Sequence, residues 1–226
     1  MSTDPPAHLT WVICAGVLLG SALVQALGAG RRGSVQTSSI SWNSGLANDE
    51  LAAGLDHFVA AVRARRVPWR IAWCAGAGVT GTTDAVLDAE VETVTAFFRL
   101  LARRADLPPG TVFLASSAGG VYAGGGKSVP YGELDPPAAV SAYGRAKLAG
   151  ELAATNLART GGHAIWIGRI ANLYGPGQNL SKGQGLISQL CRANLSRAPT
   201  SVYVPLDTMR DYLFVGDCAA MISDLL

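Results

Sequence analysis

Short, unbroken apolar runs recur along this chain, and helix-period patterns fill the stretches between them. The runs are Trp11-Val12-Ile13-Cys14, Trp69 to Cys74, Thr111-Val112-Phe113-Leu114-Ala115 and Ala164-Ile165-Trp166-Ile167. A strand with one wet face alternates apolar with polar residues, so a run without alternation is a strand buried on both faces. Between the runs, Leu51, Leu55, Phe58 and Val62 recur at helical spacing behind Asn48 or Asp49 as an N-cap. Leu87, Val91, Val94, Phe98 and Leu101 mark a longer helix over about 83–103. Buried strands alternating with amphipathic helices predict an α/β chain, a parallel sheet with helices on both faces. Ligands of such sheets bind beyond the carboxyl ends of the strands. Gly16 to Gly20, Gly76 to Gly78, Ser116-Ser117 and Arg169 to Tyr174 all fall at those ends.

The 226 residues are enough for one sizeable core, and a formal charge of +2 is too small for a nucleic-acid surface. Cys14, Cys74, Cys191 and Cys218 have no metal-like spacing, and His8, His57 and His163 are equally scattered. Neither a metal site nor a disulfide framework is expected, and reduced thiols fit a cytoplasmic protein. From Thr10 to Gly30 no residue is charged, and Arg31-Arg32 follows. Such a length can span a bilayer, which makes a membrane-anchored form one reading. The competing reading is the strand Trp11 to Cys14, a glycine-bearing turn, and an apolar helix from about Gly20 to Leu27. Gly16, Gly20, Gly28 and Gly30 favour this second reading, and Met1 to His8 lacks the basic start of a secretory signal. Between Arg31 and Gly45 at most one short strand is expected, at Ser34 to Thr37. One helical stretch is expected near Leu186 to Leu195.

Tyr143 and Lys147 stand four residues apart at the start of a helical pattern, which puts phenol and ammonium on one face. A phenol is a poor base at neutral pH, and a cation held beside one favours the phenolate. The pair thus offers an acid/base. Ser116-Ser117, closing the preceding strand, offers a hydroxyl to donate to a substrate oxygen.

Four ordered blocks carry a resemblance. They are Phe113-Leu-Ala-Ser-Ser-Ala-Gly-Gly-Val-Tyr122, Ser141-Ala-Tyr-Gly-Arg-Ala-Lys-Leu-Ala-Gly-Glu151, Gly168-Arg-Ile-Ala-Asn-Leu-Tyr-Gly-Pro-Gly-Gln178 and Met209-Arg-Asp-Tyr-Leu-Phe-Val-Gly-Asp-Cys-Ala219. Across about 70–226 the chain resembles the extended short-chain dehydrogenase/reductase family, the NAD-dependent epimerases and dehydratases of nucleotide sugars. The resemblance implies a Rossmann-like, doubly wound NAD(P)-binding domain over 1–226, with about 175–226 on the substrate side. It implies that Tyr143 exchanges a proton with a sugar hydroxyl while hydride moves to or from the nicotinamide. Lys147 would hold the nicotinamide ribose and favour the phenolate. Ser117 would bind the reacting oxygen, with Ser116 as the alternative one register away. Asn172 would touch the substrate, and Arg210 its diphosphate, unless Arg210-Asp211 is a local ion pair. Ala75 and Gly76 would line the cofactor. A homodimer through the helix of Leu87 to Leu101 and through Leu148-Leu152 is also implied, although core packing accounts for those residues equally well.

The chain departs from the family in three places. The phosphate loop, GxxGxxG, aligns on Gly20-Ser21 only by putting Cys14 and Val17 at the first two glycines. A shifted register uses Gly16, Gly20 and Ala22 instead. Between Gly20 and Asn48 there is no acid for the adenine ribose; Arg31 and Arg32, with Ser34, Thr37 or Ser38, lean toward NADP. The family's substrate lobe is only partly present before Leu226, a truncated lobe that reads either as a trimmed member or as an incomplete sequence. A catalytically weak or inactive homologue that binds a nucleotide or a partner chain is the alternative these departures motivate.

Overall fold

The apolar runs become strands of one parallel sheet. The computed structural model describes residues 8–29, 33–42, 45–76, 78, 81–126, 130–182, 185–202, 205 and 207–226. Among these, β1 (His8–Ile13), β2 (Gly33–Ser38), β3 (Trp69–Trp73), β4 (Thr111–Ser117) and β5 (Ala164–Ile170) lie in the order β2-β1-β3-β4-β5. Every pairing is parallel. The helices are α1 (Leu18–Ala29), α2 (Ala47–Arg65), α3 (Asp84–Ala102), α4 (Ala118–Val121), α5 (Ala142–Gly161), α6 (Leu186–Ser196) and α7 (Val215–Leu225). A second, two-stranded parallel sheet pairs β6 (Asn172–Tyr174) with β7 (Tyr212–Phe214).

The pleat sorts the strand residues into two cores. Trp11, Ile13, Trp69, Ile71, Trp73, Val112 and Leu114 pack against α2, α3 and α5. Val12, Ala72, Cys74 and Phe113 pack against α1 and α7. The first core is largely aromatic: Trp11 lies 5.5 Å from Phe58 and 5.6 Å, edge-on, from Phe97, ring centre to ring centre. Burying one such side chain stabilises by about 1.5–3 kcal/mol, so this face holds much of the sheet in register.

The charge-free stretch divides into β1 and the twelve-residue α1, whose Leu19, Leu23 and Leu27 are buried. No helix among the described residues is long and apolar enough to cross a membrane. Several boundaries differ from expectation. β4 continues through Ser117 and β5 through Ile170, because Ala115–Ser117 keep pairing with Gly168–Ile170. Ser116, Ser117 and Arg169 therefore stand inside strands rather than beyond them. Asn48 and Asp49 do not cap α2. The helix already begins at Ala47, its N-cap residue is Leu46 with no side-chain cap, and both polar residues fall in the first turn. Leu87, Val94, Phe98 and Leu101 of α3 are buried within this chain's own core, whereas Val91 is half-buried and Leu152 of α5 stays exposed.

Candidate active site

Succession in the sheet reverses between β1 and β3, where open α/β sheets bind their ligands. The turn leaving β1 runs from Cys14 to Val17. Cys14 adopts the left-handed conformation at φ +63°. A glycine would hold that conformation without strain. The amide of Val17 donates to the Cys14 carbonyl at 3.3 Å, and α1 follows at once. A Cβ at Gly20 would fall on the Cys14 carbonyl oxygen. Gly20 thus fills the role of the third fingerprint glycine, close packing of helix on strand. Counting back three residues sets Val17, exposed, where the second glycine would admit the pyrophosphate. Gly16 meets nothing within 4 Å of a built Cβ, so the geometry favours the register ending in Gly20-Ser21. The first amides of α1, free of intrahelical partners, still face this end of the sheet. Burial pushes the Cys14 thiol up to about 11, which keeps it protonated at neutral pH.

The turn leaving β3 approaches from the other side. Ala75 is buried, and a Cβ on Gly76 would come 2.9 Å from Lys147 Nζ and 3.1 Å from Glu90 Oε1. The amide of Gly78 donates to Glu90 Oε2 at 2.9 Å. Ala77 lies outside the described residues.

Tyr143 enters on the first turn of α5, which Ser141 caps by accepting the Gly144 amide at 3.0 Å. A Cβ at Gly144 would fall on the Gly120 carbonyl oxygen, so glycine there lets α5 close on α4. The Tyr143 ring then lies between two glycines. A Cβ on Gly120 would be 3.1 Å from its Cδ1 and Cε1, and one on Gly78 would be 3.7 Å from its Cδ2. Lys147 Nζ sits 5.4 Å from the ring centroid, as the four-residue spacing requires, and 2.8 Å from Glu90 Oε1.

The two serines are adjacent on a strand and make separate connections. The buried Ser116 hydroxyl donates to Glu151 Oε1 at 2.6 Å. Ser117 Oγ accepts the Gly120 amide at 3.2 Å, capping α4, which leaves its own proton to donate. Ser117 is therefore the hydroxyl available to a ligand, and Ser116 is committed inward. Glu151 also accepts Arg169 Nε and Nη2, the latter at 2.7 Å. Arg169 Nη1 donates to the Tyr122 hydroxyl at 2.5 Å, and Tyr122 stacks on Tyr131 at 4.9 Å. The Glu151 hydrogen bonds hold the Arg169 guanidinium well above its ordinary range. This network braces the segment after β4 against α5 and β5.

Asn172 and Arg210 meet through the small sheet, where Asn172 Nδ2 donates to the Asp211 carbonyl at 2.9 Å. The Arg210 guanidinium is exposed and donates to the Met209 carbonyl; no Arg210–Asp211 ion pair forms among the described residues. Glu90, Glu151, Arg169 and Tyr122 took no part in the sequence-based site. The available signal was charge on a buried stripe: Glu90 follows Leu87 by three and precedes Val94 by four.

The lean toward NADP finds no support. Arg31 and Arg32 lie outside the described residues and precede β2 in the chain, whereas ligands bind where strands end. Residues 39–42, which follow β2, include no cation. Ser34 accepts Arg65 and Ser38 accepts the Trp11 indole, both within the fold. An acid does reach this region from α2: Glu50 accepts the amide and hydroxyl of Ser41 at 2.9 and 2.7 Å.

No curated protein matches the chain. Among solved structures, UDP-glucose 4-epimerase of Thermotoga maritima with UDP-glucose superposes with TM-score 0.74 at 18% identity, over 93% of this chain and 71% of that one. MoeE5 in complex with UDP-glucuronic acid and NAD gives TM-score 0.75 at 25% identity, over 96% and 72%. UDP-glucose 4-epimerase of Thermus thermophilus with NAD gives 0.74 at 19%, over 96% and 74%. The family model of the NAD dependent epimerase/dehydratase family matches residues 71–226, the stretch that holds Ser117, Tyr143, Lys147, Asn172 and Arg210. By that match, reaching from within β3 to the last helix, the chain belongs to the NAD dependent epimerase/dehydratase family.

Proposed function

We propose that the chain is an NAD-dependent epimerase, dehydratase or reductase of a nucleotide-activated sugar, with Tyr143 as its acid/base. The observation that carries this reading is the seating of Tyr143. Its ring lies between Gly78 and Gly120, with the Lys147 ammonium 5.4 Å from its centroid and Ser117 capping the turn that holds Gly120.

A dinucleotide fits the residues around that ring through two glycines whose surroundings leave no room for a side chain. Gly20 draws α1 onto the β1 turn, and Gly76 keeps the space beside Lys147 open. The first amides of α1 with Gly16, Gly20 and Ser21 would hold the pyrophosphate. Ala75 and Gly76 would line the middle of the cofactor, and Lys147 with Tyr143 would hold the nicotinamide ribose. When bound, the nicotinamide ring supplies a hydride acceptor and donor.

Everything else falls to the chain's own groups. Tyr143 takes the proton from a sugar hydroxyl, or returns it. Ser117 donates to the same oxygen. Asn172 touches the sugar nucleotide, and the exposed fork of Arg210 suits its diphosphate. NAD and the UDP-sugars named with the similar structures support this cofactor and substrate class.

The test is calorimetric titration of NAD, followed by turnover of UDP-sugars, on the chain and on Tyr143→Phe. NAD binding that persists in both, weaker by no more than about tenfold in the variant for the lost ribose hydrogen bond, with turnover about a hundred- to ten-thousandfold lower, is expected. A folded chain that takes up no NAD sinks the reading. Val17 favours a second reading, a homologue that binds a nucleotide or a partner chain with weak or no turnover, because its side chain stands where the fingerprint asks for none.

A further inference from the structure

Proton transfer leaves one buried acid beside the site without a role. Glu90 occupies a core-facing position of α3, in line with Leu87, Val94 and Leu101, where the helical pattern calls for an apolar residue. It is 6% exposed. A carboxylate so far from water persists as an anion only when paired and hydrogen-bonded. Both of its oxygens are engaged: Oε1 with the Lys147 ammonium at 2.8 Å, and Oε2 with the Gly78 amide at 2.9 Å. Gly78 in turn lies against the Tyr143 ring. One side chain therefore joins α3, the turn leaving β3, and the acid/base helix.

An ammonium has three donors on a flexible stem. With one donor held by Glu90, the direction of the other two is fixed. A Cβ at Gly76 would come 2.9 Å from that ammonium, so glycine there keeps it uncrowded.

We propose that Glu90 is a positioning residue of the cofactor site, which aims the Lys147 ammonium and thereby sets the affinity for the ribose of a nicotinamide nucleotide. The proposal rests on the cofactor reading above. Glu90 touches neither the sugar nor the reacting atoms. Its effect on binding passes through Lys147, and its hold on Gly78 keeps the β3 turn beside that ammonium.

The experiment is a double-mutant cycle on NAD affinity, measured by calorimetry on the full chain, Glu90→Gln, Lys147→Met and the double variant. Glu90→Gln preserves volume and an acceptor for Gly78 while removing the charge. It is expected to weaken NAD binding at least about fivefold, an effect of ordinary size for contacting residues. In the Lys147→Met background the same change is expected to alter affinity by less than about twofold, within the additivity error of such cycles. A merely structural role would lower the unfolding midpoint and leave the affinity of the folded variant untouched.

Glu90→Gln binding NAD as the unaltered chain does, or weakening it equally in both Lys147 backgrounds, overturns the proposal while leaving the cofactor reading intact. No NAD binding by the folded, unaltered chain overturns both. Should Glu90→Gln fail to fold, Glu90→Asp, which keeps the charge one methylene short, takes its place, and should Lys147→Met fail to fold, Lys147→Gln, an uncharged polar replacement, takes its place, with the same expected outcomes.

Discussion

At the scale of single residues, the two serines that end β4 separate structure from chemistry. Ser116 donates inward to Glu151, a carboxylate that also carries Arg169. Ser116→Ala takes a hydrogen bond from a buried charged group, which costs about 1–3 kcal/mol of stability. Its turnover on a UDP-sugar should hold. Ser117→Ala removes the α4 cap, which costs about 0.5–2 kcal/mol, and is set apart by its rate, with turnover about a hundredfold or more lower. Denaturant melts and steady-state rates on both variants check this, and a rate loss confined to Ser116→Ala would reverse the assignment. The sequence made Tyr143 and Lys147 legible because their relation is local, one helical turn. It could not separate Ser116 from Ser117, since which neighbour points inward depends on where β4 stops. Glu90 was invisible for another reason. Its partner Lys147 lies 57 residues away, and a charge on an apolar stripe acquires meaning only once α3 and α5 are side by side.

At the scale of elements, the β1–α1 turn is the part on which sequence alone stayed open between two registers. Both use Gly20, and the choice turned on the contact between Gly20 and the Cys14 carbonyl, which no pattern displays. That contact carries a paired prediction. Gly20→Ala drives a Cβ into backbone, which cannot swing aside as a side chain would. Overpacking of this kind destabilises by about 1–3 kcal/mol, read as a lower denaturation midpoint. Val17→Gly touches no core and removes the branched side chain from the lip of the phosphate turn. It should tighten NAD binding about tenfold, by letting the first amides of α1 approach the pyrophosphate. Unchanged affinity in Val17→Gly would mean that the valine does not hinder the pyrophosphate, and the case for a weak homologue would lose its support. The α2 cap shows the same limit. Asn48 and Asp49 are good capping residues, but the cap position falls at Leu46, two residues before Asn48, and the nearby acid Glu50 is spent on Ser41.

At the scale of the whole molecule, the parallel sheet was readable from the four unbroken apolar runs, because burial on both faces leaves no alternation to disguise a strand. Strand order was not readable, and neither was the way the far ends of the strands are tied together. His163 is such a tie. It precedes β5, accepts the Gly110 amide on Nδ1 at 3.3 Å, and stands edge-on to Trp69 of β3 at 5.0 Å. Burial holds its imidazole below the usual value, so the fold prefers the neutral ring, which alone can accept that amide. The sign of the consequence follows from proton counting. Unfolded, the ring takes up a proton near pH ~6.5; folded, only at lower pH. In the interval the unfolded chain binds more protons, so the His163 contribution is full above ~6.5 and is lost as pH falls from there through the folded value. The urea midpoint should therefore decline between pH 7.5 and pH 5.5. His163→Asn, whose side-chain oxygen can accept the same amide without titrating, should decline less steeply over that range. Parallel slopes for the two proteins would place the acid sensitivity elsewhere and leave His163 as a packing residue of the β3–β5 end of the sheet.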